Sequence, residues 1–369
     1  MVSRADNELN VHDLLRRVVE TEASDLHMKA GSPPVLRIHG GLSPQELPEL
    51  TAKAMSSALS QIATPEQQEL FDRGKELDFA YSAEGIGRFR VNAALQRGSI
   101  TLSFRLVRWD IPTLEELGLP DICRSLVLKP RGLVLMTGPT GSGKSTTLAA
   151  MIDYLNERER RHIVTIEDPI EFVHRDKRCL ISQRELGADT TSFAVALKHA
   201  LRQDPDVILV GEMRDLETIA LALTAAETGH LVLATLHTPS AAQTIDRIAD
   251  SFPPHQQQQA KGQLSTVLEA VLCQTLVPRA DGSGRVAAVE VMVATPAIRN
   301  LIREGKTFQI PNVIQTGSQY GMQSLDQALA GLCRMNIITH DDALARCANP
   351  EELGRLLAGG PGPQLRAAS

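Results

Sequence analysis

The stretch Gly138-Pro-Thr-Gly-Ser-Gly-Lys-Ser145 is the most informative part of the sequence, because it fits the complete G-x-x-x-x-G-K-[ST] pattern of a phosphate-binding loop. An apolar run, GLVLMT at 132–137, precedes it, and a helical run at 146–155 follows. Strand, glycine-rich loop and helix in this order place backbone N–H groups and the positive end of a helix around phosphate oxygens. A glycine-rich turn that matches by chance is the alternative, and it would not require these neighbours. We therefore predict a nucleotide site at Gly138, Pro139, Thr140, Gly141, Ser142, Gly143, Lys144, Ser145 and Thr146.

Two side chains of this loop carry the expected chemistry. Lys144 can reach the β- and γ-phosphates of a nucleotide, and the hydroxyl of Ser145 is a ligand for Mg²⁺. ATP and Mg²⁺ are therefore the expected cofactors.

Apolar strands alternate with longer helical runs from residue 131 onward. The strands are expected at 133–136, 163–166, 207–210 and 231–235. This alternation is typical of a mostly parallel α/β sheet. Ligands of such sheets bind beyond the carboxyl ends of the strands, so polar residues that follow a strand become candidates for the site.

Carboxylates follow two of these strands. The strand at 163–166 runs into Glu167-Asp168-Pro-Ile-Glu171, and the strand at 207–210 runs into Gly211-Glu212. Hydrolysis needs a carboxylate that polarises water and a second ligand that holds Mg²⁺. A helix N-cap or a solvated loop charge is the alternative for each acid. That alternative is weakest for Glu212, which follows an apolar strand and a glycine.

Two histidines, His230 and His237, bracket the last of these strands. His237 follows the carboxyl end, beside the expected phosphates. It is either a sensor of the γ-phosphate or a hydrogen-bonded histidine at a strand end, and the spacing alone does not decide between them. A metal site shared by the two is disfavoured, because the strand separates them.

Four arginines, Arg88, Arg90, Arg97 and Arg105, lie on or beside two expected strands in the first part of the chain. Solvated cross-strand charges explain them in the simplest way. In the alternative, Arg90 and Arg105 complete the nucleotide site of a neighbouring subunit, as arginine fingers do.

The composition of the chain argues against several other classes of protein. The 369 residues are 43% hydrophobic and 22% charged, which is ordinary for a globular protein of about two domains. The net charge of −6 and the 3% of aromatic residues argue against a nucleic-acid partner. The five cysteines contain no CxxC pair, which disfavours a disulfide framework or a zinc knuckle. There is no run of 18 apolar residues and no apolar leader, so we expect no transmembrane segment and a cytoplasmic location.

Changes of pattern along the chain suggest its domain boundaries. We predict a small mixed α/β domain at 1–108, with residues 78–92 and 99–107 as two of its strands. A linker is expected at 109–120, where prolines punctuate a stretch with little periodicity. The ATPase domain follows at 121–358 with a helical C-terminal region, and the Gly/Pro-rich tail at 359–369 is expected to be disordered.

Four segments together resemble the signature boxes of the secretion-ATPase superfamily, which drives type II secretion and type IV pili. They are GPTGSGKST (Walker A), TIEDPIEF (Asp box), DPDVILVGEMRD (an atypical Walker B) and TGHLVLATLHT (His box). Three further segments, SDLHMKAGSPP, AIRNLIRE and GMQSLD, narrow the resemblance to the type IV pilus retraction ATPases, the PilT family. The resemblance covers about residues 9–347.

The resemblance implies a fold and a set of roles. The fold is α/β, a RecA-like P-loop ATPase domain preceded by a smaller PAS-like α/β domain, assembled into a ring-shaped homohexamer with ATP at the subunit interfaces. By position, the implied site residues are Glu171 as the catalytic carboxylate, Glu212 as the Walker B acid and Mg²⁺ ligand (directly or through water), His230 and His237 as the His-box pair, and Arg90 and Arg105 as the paired N-domain arginines.

The implied function is a hexameric motor that hydrolyses ATP to retract type IV pili, the basis of twitching motility. Its partners would be an inner-membrane pilus platform protein and a paralogous retraction ATPase, and its place the cytoplasmic base of the pilus machine. The alternatives are a pilus assembly or type II secretion ATPase, and an accessory retraction paralogue. Assembly and secretion ATPases usually carry a long extra N-terminal domain and often a tetracysteine zinc site. A non-enzymatic, nucleotide-gated module would lack the catalytic acids, whereas Glu171 and Glu212 are both present.

The segment AIRNLIRE at 297–304 is expected to form a helix capped by Thr295. Ile298, Leu301 and Ile302 fall on one apolar stripe. A plain amphipathic surface helix is the interpretation that periodicity favours. The resemblance favours a helix that couples hydrolysis to retraction without taking part in hydrolysis.

Overall fold

The computed structural model describes residues 9–107 and 109–359, and the chain divides into two compact units between Trp109 and Asp110. Each unit has its own sheet and hydrophobic core. Of the predicted tail at 359–369, only Gly359 lies within the described residues. The predicted linker is divided between the units, and its residues Leu114 and Leu119 are buried in the core of the second.

The first unit, over the described residues 9–107, is a six-stranded antiparallel sheet with three helices. Its elements are α1 (Val11–Glu20), β1 (Asp25–Lys29), β2 (Val35–Ile38), β3 (Gly41–Pro44), α2 (Ala52–Ile62), α3 (Pro65–Gly74), β4 (Glu76–Ala83), β5 (Gly87–Gln96) and β6 (Ser99–Leu106). The strand order is β3-β2-β1-β6-β5-β4. Helix α1 begins at Asn10, whose side chain accepts the backbone N–H of His12, and its apolar stripe enters the core.

The stretch 78–92 was expected to be one strand, and this expectation is wrong. The chain turns back after β4, so that the stretch spans parts of β4 and β5. The turn depends on Gly85, which has a φ of 69°. Alternation continues on both sides of this glycine, and the periodicity therefore hides the turn.

The second unit, over the described residues 110–359, contains a seven-stranded sheet of order β13-β12-β7-β11-β10-β8-β9. Its strands are β7 (Gly132–Thr137), β8 (His162–Glu167), β9 (Leu180–Glu185), β10 (Val207–Val210), β11 (Leu231–Leu236), β12 (Leu268–Pro278) and β13 (Arg285–Val293). Neighbouring strands are parallel, except that β13 runs antiparallel to β12. The four predicted strands correspond to β7, β8, β10 and β11.

Helices cover both faces of this sheet. They are α4 (Ile122–Val127), α5 (Lys144–Asn156), α6 (Phe193–Ala200), α7 (Leu216–Glu227), α8 (Ala241–Asp250), α9 (Gln257–Val267), α10 (Pro296–Glu304), α11 (Ile310–Thr316), α12 (Leu325–Arg334), α13 (His340–Leu344) and α14 (Pro350–Leu357). Alternate residues of β7 enter two different cores, Leu133 and Leu135 on one face and Val134 and Met136 on the other. A strand buried on both faces is apolar throughout, which explains the continuous apolar runs of the sequence.

None of the described helices is long and apolar enough to cross a membrane. Strands β7, β11, β10 and β8 are adjacent and parallel. The loops that follow them therefore lie side by side at the carboxyl ends of the strands. The loops that follow these strands carry the four signature segments.

Candidate nucleotide site

A cleft with a volume of about 480 Å³ opens at the carboxyl edge of the larger sheet. It brings together seven side chains that the sequence singled out: Lys144, Ser145, Glu167, Asp168, Glu171, Glu212 and His237. Of the remaining predicted loop residues, Thr140, Gly141, Gly143 and Thr146 also line the cleft, whereas Gly138, Pro139 and Ser142 form the rest of the loop.

The loop between β7 and α5 is shaped by its glycines. Gly138 has a φ of 134° and Gly143 a φ of 87°, conformations that other residues rarely adopt. The Lys144 ammonium lies inside the loop and donates to the carbonyl of Gly138 at 2.8 Å and to that of Pro139 at 3.0 Å. Burial lowers the pKa of Lys144, and the nearby charge of Glu212 opposes this effect. The loop thus presents a cation and backbone amides at the start of a helix, a cradle suited to phosphates.

Glu212 is fixed by its neighbours at the end of β10. Its Oε2 lies 2.7 Å from the Arg214 guanidinium and its Oε1 lies 3.2 Å from Nε2 of His237. Burial raises the pKa of Glu212, but the hydrogen bond from Arg214 and the charge of His237 outweigh it, and the net shift is downward. The preceding Gly211 is required by packing, because a Cβ there would lie 2.9 Å from the carbonyl oxygen of Ile166. Glu212 is therefore an ionised carboxylate in a set position.

Glu171 reaches the cleft on the loop that follows β8. Its carboxylate is exposed and makes no hydrogen bond or ion pair within the described part of the chain. The loop itself is held by Gln183 of β9, whose amide donates to the carbonyl of Phe172 at 2.9 Å and accepts from the backbone N–H of His174 at 2.8 Å. Glu171 is thus a free carboxylate on an anchored loop.

Glu167, at the end of β8, is the partly buried acid behind this loop. Its Oε1 accepts from the Thr165 hydroxyl at 2.7 Å and from the Gln183 amide at 3.1 Å. Burial raises the pKa of Glu167 to about 7, although these hydrogen bonds favour its charged form. A carboxyl with this pKa changes its protonation near neutral pH.

His230 does not join the cleft. It precedes β11, whereas His237 follows it, and the six residues of β11 separate the two by about 20 Å. Its Nδ1 lies 2.9 Å from the carbonyl oxygen of Ala225 at the end of α7. The role that the structure supports for His230 is to connect this helix to the strand.

Arg90 and Arg105 lie in the first unit, directly opposite each other on β5 and β6. Both are exposed. Arg105 donates from Nε to the buried Asp25 at 2.8 Å, and Arg90 makes no ion pair with the residues described. Burial would raise the pKa of Asp25, but its hydrogen bonds with Ser24 and Arg105 lower it. The pair therefore has one anchored and one free guanidinium.

Three residues of the site escaped the sequence analysis: Arg214, Gln183 and Gln274. Arg214 could have been found from its position two residues after Glu212. Gln274 directly follows the apolar run AVLC at 270–273, and a lone amide in a buried strand is itself a signal that it has partners. Gln183 has no such signal, because it lies in a mixed strand beyond the motif it supports.

Comparisons with known proteins show which family this chain belongs to. A model of the type II/IV secretion system protein family covers residues 7–336. The chain belongs to this family. It is 50% identical over 343 residues to the type IV pilus retractation ATPase PilT of Pseudomonas aeruginosa, covering 93% of this chain and 99% of that one. It is 45% identical over 340 residues to the type IV pilus ATPase PilU of the same species, covering 92% and 89%.

A solved structure is similar over nearly the whole chain. A crystal structure of the pilus retraction motor PilT with bound ADP superimposes with a TM-score of 0.86 at 45% identity, covering 94% of this chain and 100% of that one. The predicted resemblance to the retraction ATPases and the predicted fold class, a RecA-like ATPase domain after a smaller α/β domain, are confirmed by these similarities. The family also confirms the prediction of a nucleotide-binding ATPase.

Proposed function

We propose that this chain is a homohexameric motor that hydrolyses Mg²⁺-ATP to retract type IV pili. The observation that carries the proposal is the convergence of the phosphate loop with two differently held carboxylates, Glu171 and Glu212, in one cleft. A phosphate loop alone binds nucleotide, whereas a free carboxylate beside it can act on water. The retraction function rests on similarity to the Pseudomonas ATPase named above.

Each side chain has a distinct task in this mechanism. Lys144 binds the β- and γ-phosphates, and Ser145 and Glu212 are the residues that would hold Mg²⁺, Glu212 directly or through water. The oxygen donors present, a hydroxyl and a carboxylate, are those that Mg²⁺ prefers, and the ion neutralises phosphate charge when it is bound. Glu171 accepts the proton of the attacking water, since its carboxylate is not engaged elsewhere. His237 acts as the sensor of the γ-phosphate, and its contact with Glu212 links it to the rest of the site.

Substitution of Lys144 by alanine tests the phosphate loop. We expect Lys144→Ala to abolish ATP turnover, because no other side chain of the loop supplies a cation. The matched control is Lys198→Ala, which removes an exposed lysine of α6 and should leave turnover unchanged. Turnover by Lys144→Ala near the rate of the control would refute the assignment of the loop.

Arg90 and Arg105 are proposed to act on the site of a neighbouring subunit. Each would then be silent in its own subunit, so that mixtures of Lys144→Ala and Arg105→Ala chains should regain part of the activity. The gain arises because some interfaces receive both intact halves. Mixed hexamers verified by native mass spectrometry that stay inactive would contradict this arrangement.

The motor is proposed to work at the cytoplasmic base of the pilus, on an inner-membrane platform protein and together with a paralogous ATPase. A deletion strain distinguishes the alternatives. Loss of a retraction motor leaves pili that do not retract and cells that do not twitch, whereas loss of an assembly ATPase leaves no pili. An accessory paralogue would restore retraction only where the main motor is also present. Bare cells after deletion would therefore refute the proposal.

A further inference from the structure

Gln274 is a polar residue in an otherwise apolar, buried part of β12. It follows directly after the last pair between β12 and β7, in which Cys273 lies opposite Thr137. Only 2% of its surface is exposed. An amide buried this deeply is costly unless both its donor and its acceptor find partners.

Both ends of this amide bond to the phosphate-binding segment. Nε2 donates to the backbone carbonyl of Ser142 at 2.7 Å, and Oε1 accepts from the Thr147 hydroxyl at 2.9 Å. Ser142 belongs to the loop, and Thr147 lies in the first turn of α5 and is itself buried. Gln274 therefore ties the loop to the helix that follows it.

The same residue explains two glycines of the loop. A Cβ on Gly138 would lie 2.2 Å from the backbone oxygen of Gln274, and a Cβ on Gly143 would lie 2.8 Å from its Nε2. A real Cβ atom essentially never lies this close to another non-bonded heavy atom. The first and last glycines of the motif are thus required by the closeness of Gln274 as well as by their positive φ.

The bond to Ser142 also fixes the direction of the next amide. A peptide group is planar and trans, so the carbonyl of Ser142 and the N–H of Gly143 point in opposite directions. The carbonyl is held toward buried Gln274, and Gly143 lines the cleft. The Gly143 N–H is therefore directed away from β12, where it can donate to an anion.

We propose that Gln274 is a positioning residue for the nucleotide: by holding the Ser142 carbonyl it directs the Gly143 N–H at the phosphates. The inference rests on the proposed binding of ATP. The residue does not touch the nucleotide, and it acts through the peptide group that does.

The substitution Gln274→Glu in the full-length chain tests this directly. The new carboxylate keeps an acceptor for Thr147 but, when ionised, cannot donate to the Ser142 carbonyl, whereas the protonated form can. We expect the affinity for Mg²⁺-ADP, measured by calorimetry, to be roughly tenfold weaker than that of the unsubstituted chain at pH 8. The deficit should shrink as the pH falls toward 6, because burial raises the pKa of such a carboxyl.

The control is Gln203→Glu, which makes the same change at an exposed position outside the cleft. It should follow the unsubstituted chain at every pH. A Gln274→Glu variant whose affinity also runs parallel to that of the unsubstituted chain would overturn the proposal, because a purely structural role gives no pH-dependent recovery.

A second pair of variants covers the case in which Gln274→Glu does not fold. Thr147→Ser keeps the hydroxyl that orients Gln274, and Thr147→Val removes it at nearly constant volume. We expect only the valine variant to bind Mg²⁺-ADP more weakly, and equal affinities of the two would refute the proposal. If the unsubstituted chain binds no nucleotide at all, it is the proposed function that fails, and the two failures are therefore distinguishable.

Discussion

Two of the carboxylates that line the cleft, Glu212 and Glu171, are held in opposite ways. Glu212, at the end of β10, contacts Arg214 through one oxygen and His237 through the other. Glu171, on the loop after β8, makes no ion pair or hydrogen bond with described residues through its carboxylate. Glu212 is thus held in place by its two neighbours, whereas the carboxylate of Glu171 is exposed and has no such partner among the described residues.

This difference supports the roles proposed for Glu171 and Glu212. A carboxylate that has to accept a proton needs an available oxygen, and a base is weakened when cations already occupy it. A carboxylate that helps to hold a metal ion profits instead from a fixed orientation supplied by its neighbours. The geometry therefore favours Glu171 as the base and Glu212 as the Mg²⁺ ligand.

The largest effect is expected at the free acid. Glu171→Gln keeps the size of the side chain and removes the base, so kcat should fall at least roughly a hundredfold. Binding of Mg²⁺-ATP should stay close to that of the unsubstituted chain, as measured by calorimetry. If Glu171→Gln hydrolyses ATP at the normal rate while Glu212→Gln is inactive, the assignment is wrong, since Glu212 would then be the base.

A smaller and different effect is expected at the locked acid. Glu212→Gln should raise the Mg²⁺ concentration needed for half-maximal turnover about tenfold, because the metal loses one anionic ligand or water partner. Excess Mg²⁺ should restore much of the rate, which it should not do for Glu171→Gln. Titration of ATPase activity with Mg²⁺ in both variants measures the contrast. An identical response of the two would count against separate roles.

Glu167, the partly buried acid behind the Glu171 loop, allows a test through stability. Its pKa of about 7 in the folded state lies above the ordinary glutamate value of 4.5, so the folded chain holds a proton that the unfolded chain releases. Stability therefore falls as the pH rises through this window, by up to about 3 kcal/mol. Glu167→Gln keeps the acceptor oxygen and removes the titration. Its Tm should match the unsubstituted chain near pH 5 and exceed it by several degrees at pH 8, and a constant difference across this range would contradict the assignment.

The smallest effect on hydrolysis is expected from α10, which contributes no residue to the cleft. Ile298 and Ile302 are fully buried in the core of the second unit, so their truncation would cost roughly 2–5 kcal/mol of stability. The exposed Asn300 and Arg303 are better targets. The double variant Asn300→Ala, Arg303→Ala should hydrolyse ATP at the unsubstituted rate and fail to retract pili in cells. Normal retraction, or loss of hydrolysis in step with retraction, would refute a separate coupling role.

Sequence patterns predicted four of the seven strands of the large sheet, because β7, β8, β10 and β11 are apolar and each is followed by a motif. Strands β9, β12 and β13 were not predicted. The phosphate loop could be predicted residue by residue, since its chemistry depends on backbone shape that only glycine allows. The N-cap of α10 was likewise predicted from its residue type, and the Thr295 side chain accepts the backbone N–H of Ile298. The helix ends at Gly305, which has a φ of 68°.

What the sequence did not disclose are contacts between residues distant along the chain. Gln183 supports Glu171 from another strand, and Gln274 supports Ser142 across 132 positions. No periodicity encodes such pairs. The hairpin turn at Gly85 was missed for a different reason, because glycines in an alternating stretch, here Gly85 and Gly87, are compatible with either a bulge or a turn.

Strand β12 has a mechanical consequence for the motor. Near the start of β12, the Glu269 carboxylate forms two ion pairs. Its Oε1 lies 3.0 Å from the guanidinium of Arg299 on α10, and its Oε2 lies 2.8 Å from the ammonium of Lys129, which precedes β7. Gln274, five positions further on, holds the phosphate loop. An extended strand can hardly be stretched, so a load applied at α10 would be transmitted to the phosphate loop along about 17 Å of covalent backbone. If α10 bears the load of retraction, β12 joins the point where the force acts to the site where ATP is hydrolysed.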